Sequence, residues 1–155
     1  MRIRSAFLFL TLMSCLAAAA SLPYNEHADA KAEVRQALLS ANRSQTLVLI
    51  IFGANWCEDC RALDAAMKSQ ENAELLAKSF QVVKVDVGNF DRNRDLAASY
   101  GNPTLKGIPA AIVLSPDNQL VYSTRGGELA DARRMSNRGI YDFFSRIAQA
   151  MQGKK

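Results

Sequence analysis

From Leu47 to Phe52 the chain offers no polar residue to alternate with, and it then runs directly into Trp56-Cys57-Glu58-Asp59-Cys60. An apolar run of that length, rich in branched side chains, predicts a strand buried on both faces, central and parallel in its sheet. Beyond it Leu63, Ala66 and Met67 recur at helical spacing, which predicts a helix starting at Cys57. Cys57 therefore stands where a buried strand hands over to a helix. Two sulfurs three residues apart at a helix start can close into a disulfide or open into a dithiol. The first of them lies among backbone N–H groups that lack intrahelical partners and favour a thiolate. Redox chemistry is the leading reading of this pair. Half of a structural zinc site is the competing one, but zinc needs about four ligands. The remaining cysteine is Cys15 and the single histidine is His27, so no second ligand pair is available.

A chain of 155 residues that is 49% hydrophobic and 22% charged can bury a proper core, which argues against disorder and against a disulfide-stapled miniprotein. Setting aside Arg2 and Arg4 leaves 17 basic residues against 15 acidic ones. That balance is too weak for a nucleic-acid partner. Arg133, Arg134 and Arg138 read as a solvated surface. No glycine-rich nucleotide fingerprint is present, so no organic cofactor is implied.

Met1 to Arg4 is basic, Ala6 to Leu16 is apolar, and Ala17 to Ser21 supplies small residues for cleavage. This is the layout of a secretory signal peptide, with cleavage after Ala20 or one residue to either side. The expected division is a signal over residues 1–20 and one domain over residues 21–155. The apolar stretch is shorter than the roughly 20 residues a membrane span requires. Leu12-Met13-Ser14-Cys15 also resembles the box of bacterial lipoproteins, which makes a lipid anchor through Cys15 the alternative. Either route exports the domain, with the bacterial periplasm the expected location, an oxidising compartment where Cys57 and Cys60 would need a partner to maintain their redox state.

Elsewhere, Ala30, Val34, Ala37, Leu38 and Ala41 predict an amphipathic helix, and Ala73, Leu75, Leu76 and Phe80 a helical piece beyond Ser69. Val83, Val85 and Val87 alternate with polar residues as a strand does. Asp91 to Tyr100 predicts a short helix ended by Gly101-Asn102-Pro103. Ala110–Leu114 and Leu120–Thr124 flank Ser115-Pro116-Asp117-Asn118, which predicts an antiparallel hairpin. Ile140, Phe143, Phe144, Ile147, Ala148 and Met151 then mark a final core-packing helix. This order implies an α/β fold, a mixed sheet with helices on both faces.

With Phe52-Gly53-Ala54-Asn55 ahead of the cysteine motif and Gly107-Ile108-Pro109 about fifty residues later, the chain resembles the thioredoxin family over essentially its whole mature length. Among relatives it is similar to exported thioredoxin-like domains, including the periplasmic domain of a membrane transporter that carries electrons to disulfide-reducing proteins. The resemblance implies the thioredoxin fold and thiol–disulfide exchange with protein disulfide substrates, supplied by a membrane-linked electron donor. It makes Cys57 the attacking thiolate and Cys60 the resolving thiol, with Trp56 flanking the sulfur. Pro109 becomes a cis-proline facing the cysteines, turning Ile108 so that its backbone can pair with an extended substrate. Read locally, Pro109 is a rigid entry to an edge strand.

The chain departs from its relatives where many carry a buried acid six residues before the first cysteine, a position held here by Ile51. Lys84 matches the lysine that neighbours that acid, and is therefore solvent-directed or differently paired. Gly101 to Lys106 is longer than the usual link to the proline loop, which alters the groove rim. Glu58 and Asp59 oppose a Cys57 thiolate, whereas the helix terminus and Arg61 favour it. The expectation is a Cys57 pKa near thioredoxin's value of about 7 and a potential of roughly −200 to −270 mV, that of a reductase or isomerase and not of a primary oxidant. Two other classes are a soft-metal module holding Cu(I) on the thiolates and a redox-inactive interaction scaffold.

Overall fold

Seven consecutive residues of one strand, Leu47–Gly53, are buried without exception. Side chains alternate across a sheet, so burial at every position requires cover on both faces. This strand, β1, is central in a four-stranded sheet ordered β2-β1-β3-β4, where β2 is Phe80–Asp86, β3 Ala110–Leu114 and β4 Leu120–Ser123. The computed structural model describes residues 22–152, and the proposed signal segment and Cys15 lie outside them. β1 runs parallel to β2 and antiparallel to β3. The expectation of a central strand therefore holds, and the sheet is mixed because β3 returns beside β1 before the β3–β4 hairpin. That hairpin closes through Ser115 N–H to Gln119 O at 2.9 Å, with Asn118 in the left-handed region.

The helices are α1 (Ala30–Ser44), α2 (Glu58–Met67), α3 (Gln70–Ser79), α4 (Arg94–Ser99) and α5 (Asn137–Gln152). Asp29 starts α1 by accepting from Ala32 N–H at 2.9 Å, satisfying one of the donors that a helix leaves unpaired. α1 packs on β1 and β2, while α2, α3 and α5 pack on one another. In α5, Ile140, Phe143, Phe144, Ile147 and Ala148 are buried, as their spacing requires. Phe144 meets Phe80 and Phe143 edge-on, at ring separations of 6.3 and 5.1 Å. Such aromatic pairs add about 0.5–1.5 kcal/mol each beyond the area they bury.

Two elements differ from expectation. Phe80 opens β2 with extended backbone instead of ending the preceding helix. Its apolar side chain satisfies either period, and pairing with Leu47 decides for the strand. The segment from Asp91 forms helix only over Arg94–Ser99, because Asn93 just before it adopts a left-handed conformation and sends its side-chain N–H to Asp86 O at 2.8 Å.

Candidate active site

β1 ends at Gly53, and the next residues turn the chain into α2 with Cys57 as the helix N-cap. The backbone N–H of Cys60 donates to Cys57 Sγ at 3.1 Å. This is the contact that favours negative charge on the first sulfur. Cys57 and Cys60 are joined as a disulfide, their Cα atoms 5.2 Å apart. Cys57 keeps 6% of its surface exposed and Cys60 none, so an incoming sulfur meets Cys57.

The Ile108–Pro109 peptide is cis, and Ile108 O lies 3.6 Å from Cys57 Sγ. The fold thus brings Cys57, Cys60, Ile108 and Pro109 together from two regions about fifty residues apart in sequence. Trp56 stands beside them and is 54% exposed. Its indole N–H donates to Gly88 O at 2.9 Å, and Phe90 abuts the ring edge-on at 6.1 Å. The extended stretch before Gly107 forms a 3₁₀ turn over Pro103–Lys106 that leaves Leu105 exposed at the rim.

Behind the cysteines, Ile51 is buried and sits level with Lys84 in the parallel register, on the same face. Lys84 reaches past it to Asp64, which Lys68 also binds at 2.7 Å. Lys84 is therefore differently paired, with a carboxylate from α2. Asp64 lies four residues after Cys60, on the same side of the helix. Burial pushes its pKa up, but hydrogen bonds and charges from Lys68 and Lys84 outweigh burial and hold the carboxyl below its usual range.

Tyr24 packs across Gly53, where an added Cβ would fall 2.2 Å from the phenol oxygen. Burial, with the charges of Asp64 and Asp86 adding to it, raises the Tyr24 pKa well above the ordinary tyrosine range, so the phenol stays protonated. Asn55 holds the Tyr24 backbone at both ends, accepting from its N–H at 3.0 Å and donating to its O at 2.9 Å. Tyr24 carries no local signal that marks it, whereas Asn55 belongs to the stretch before the cysteines that carries the family resemblance.

Arg61, read as a cation favouring the thiolate, instead donates to Asn55 O at 2.7 Å. The cation bound to the acidic pair is Arg133. Its guanidinium donates to Glu58 at 2.7 Å, and its backbone N–H donates to Asp59 at 3.0 Å. Arg133 is exposed, as the solvated-surface reading has it, and its charge is paired there with the acids of α2. Among the described residues no group of three or more His, Cys, Asp or Glu side chains converges on a common point.

A disulfide-forming cysteine pair at a strand-to-helix turn, opposed by a proline loop on a mixed four-stranded sheet, defines the class: a thiol–disulfide oxidoreductase of the thioredoxin fold. A thioredoxin-like family model matches residues 29–116, more than half of the chain, and the chain belongs to that family. It is similar to a thioredoxin of Bacillus subtilis, 31% identical over 87 residues, which span 56% of this chain and 75% of that one. Among solved structures it is similar to a disulphide isomerase from Xylella fastidiosa, with 55% identity and a TM-score of 0.82, over 83% of this chain and 98% of the other. The oxidised C-terminal domain of DsbD from Neisseria meningitidis shares the fold, at 18% identity and a TM-score of 0.57, over 77% of this chain and 96% of that domain.

Proposed function

We propose that this protein is an exported dithiol reductase or isomerase of protein disulfides, with Cys57 as nucleophile and Cys60 as resolving thiol. The Cys57 thiolate attacks one sulfur of a substrate disulfide, forming a mixed disulfide and releasing the other substrate sulfur as a thiolate. Cys60, once deprotonated, attacks Cys57 Sγ and frees the second substrate thiol. Two electrons have then passed to the substrate, and Cys57–Cys60 is oxidised. In isomerisation the released substrate thiolate attacks elsewhere and the dithiol is regenerated. In net reduction an external dithiol donor, membrane-linked in this reading, must restore the pair.

The observation that carries the reading is the difference between the two sulfurs: Cys57 is reachable and bonded by the Cys60 N–H, while Cys60 is fully buried. Trp56, Ile108 and Pro109 would form the substrate groove around Cys57, with Ile108 presenting backbone to an extended segment. The isomerase branch draws support from the 55% identical relative described as a disulphide isomerase. The direction of transfer draws support from Glu58 and Asp59 in the first turn of α2, which limit how far the thiolate can be stabilised. Export rests on the amino-terminal pattern of residues 1–20, and among the described residues no helix is long and apolar enough to cross a membrane.

Equilibration of the pair against glutathione redox buffers tests the direction. The expected potential lies at roughly −200 to −270 mV, whereas a value near −120 mV would make the protein a disulfide donor. Fractionation of cells expressing the full chain tests export, expected as a shortened or lipid-modified product outside the cytoplasm.

A further inference from the structure

The two residues between the cysteines are both acidic, and a pair of carboxylates one and two residues from a sulfur opposes its ionisation. The structure binds that pair from far along the chain. The segment between β4 and α5 is anchored by Leu129 and Ala132, both buried, and its short 3₁₀ turn Ala132–Arg134 packs on α2. Arg133 N–H donates to Asp59 Oδ1 at 3.0 Å, its guanidinium donates to Glu58 Oε2 at 2.7 Å, and its Nε lies 3.8 Å from Asp59 Oδ1. Arg133 and Glu58 are more than half exposed, whereas the Asp59 side chain is only 15% exposed, so the sheltered part of the cluster is its Asp59 side.

The same segment also reaches the opposite wall of the site. Gly127 lies close enough to Lys106 that an added Cβ would sit 3.2 Å from the Lys106 carbonyl, and a Cβ on Gly107 would sit 3.3 Å from Ala130. Residues 127–133 therefore touch both the helix start that carries the cysteines and the stretch that leads into Ile108–Pro109. Other charged groups on elements around Cys57 have different partners or positions. Arg61 donates to Asn55 O, Lys106 precedes the proline loop, Asp86 pairs with Arg92, and Asp64 on α2 pairs with Lys68 and Lys84.

We propose that Arg133 is a positioning residue for thiol–disulfide exchange: by binding Glu58 and Asp59 it offsets their charge at Cys57 and holds the start of α2 in register with the opposing proline loop. The inference rests on Cys57 as the attacking sulfur. Without the guanidinium of Arg133 the acidic pair keeps only the backbone N–H bond on Asp59, and the Cys57 thiolate becomes scarcer at a given pH. A lysine in its place keeps the charge but not the planar guanidinium that donates to Glu58 while lying beside Asp59. It should therefore keep most of the electrostatic effect and less of the positioning.

The test is the pH profile of Cys57 alkylation by iodoacetamide in the reduced full chain, with the modified cysteine identified by peptide mass spectrometry and folding checked by circular dichroism. Arg133→Gln should raise the apparent pKa by about half a unit to one unit and slow alkylation near pH 6 about three- to tenfold. Arg133→Lys should recover most of that rate. Adding Glu58→Gln and Asp59→Asn to Arg133→Gln should return the profile to near that of the wild type. A folded Arg133→Gln protein with an unmoved profile would overturn the proposal, as would a shift that removing the two carboxylates fails to reverse. Alkylation at acidic pH that maps to Cys60 would overturn the nucleophile assignment together with this inference, whereas alkylation confined to Cys57 with no shift overturns this inference alone.

Discussion

The backbone N–H of Cys60 points at Cys57 Sγ from 3.1 Å, so the second cysteine supports charge on the first while its own sulfur is wholly buried. The two sulfurs are chemically unequal before any substrate arrives, and covalent trapping reads that inequality. Cys60→Ser removes the resolving step and should accumulate mixed disulfides with substrate proteins. Cys57→Ser leaves a thiol one turn inside α2, where burial and distance from the unpaired N–H groups both oppose a thiolate. It should trap few. Non-reducing and reducing gels of each variant, purified without reductant, make the comparison, and equal trapping by both would reverse the assignment.

Asp64 links the chemistry of α2 to the stability of the sheet. Its native carboxyl is held below the ordinary range by Lys68 and Lys84 despite its burial, so the folded state favours the ionised form. That stabilisation is fully present above the unfolded carboxylate pKa, and it is lost as pH falls through the lowered native value. Asp64→Asn should therefore cost about 1.5–3 kcal/mol at pH 7, the range for hydrogen bonds to charged groups. The gap between wild type and variant should narrow in strong acid. Urea denaturation of both proteins at pH 7 and below pH 3 provides the measurement, and a gap independent of pH would show that Asp64 acts by packing alone.

How much of this was legible in the sequence depends on the distance over which each residue acts. The unbroken apolar run of β1 and the spacing of Ile140, Phe143, Phe144, Ile147 and Ala148 report burial directly, because a residue's face is fixed by its local period. Phe80 departs from the expected helix because an apolar residue four positions after Leu76 fits a helix as well as the start of a strand. Cys57, Cys60 and Pro109 were legible through a motif, and their approach follows from β1 and β3 being neighbours. Arg133 and Asp64 were not. Their partners lie 74 and 20 residues away, and a short basic cluster read by composition says nothing of the partners its members find. One signal was nevertheless present: two acids between redox cysteines call for a cation, and Arg61 was only the nearest in sequence.

Trp56 and Phe90 form an edge-on pair at 6.1 Å beside Cys57, and the indole is further pinned by its N–H bond to Gly88 O. An exposed tryptophan held on two sides can present a fixed apolar surface to a protein substrate without first losing rotamer freedom, which is the usual cost of ordering an interface side chain. Phe90→Ala removes one of those two restraints and leaves Cys57 and Cys60 untouched. An aromatic pair contributes about 0.5–1.5 kcal/mol, and about 1.4 kcal/mol corresponds to a tenfold change. Reduction of a protein disulfide should therefore fall about two- to tenfold in kcat/KM, mainly through KM. Reaction with a small aromatic disulfide, which needs only the sulfur, should be unchanged. If both substrates slowed together, Phe90 would be acting on the cysteines themselves, and the role of Trp56 as a docking surface would have to be withdrawn.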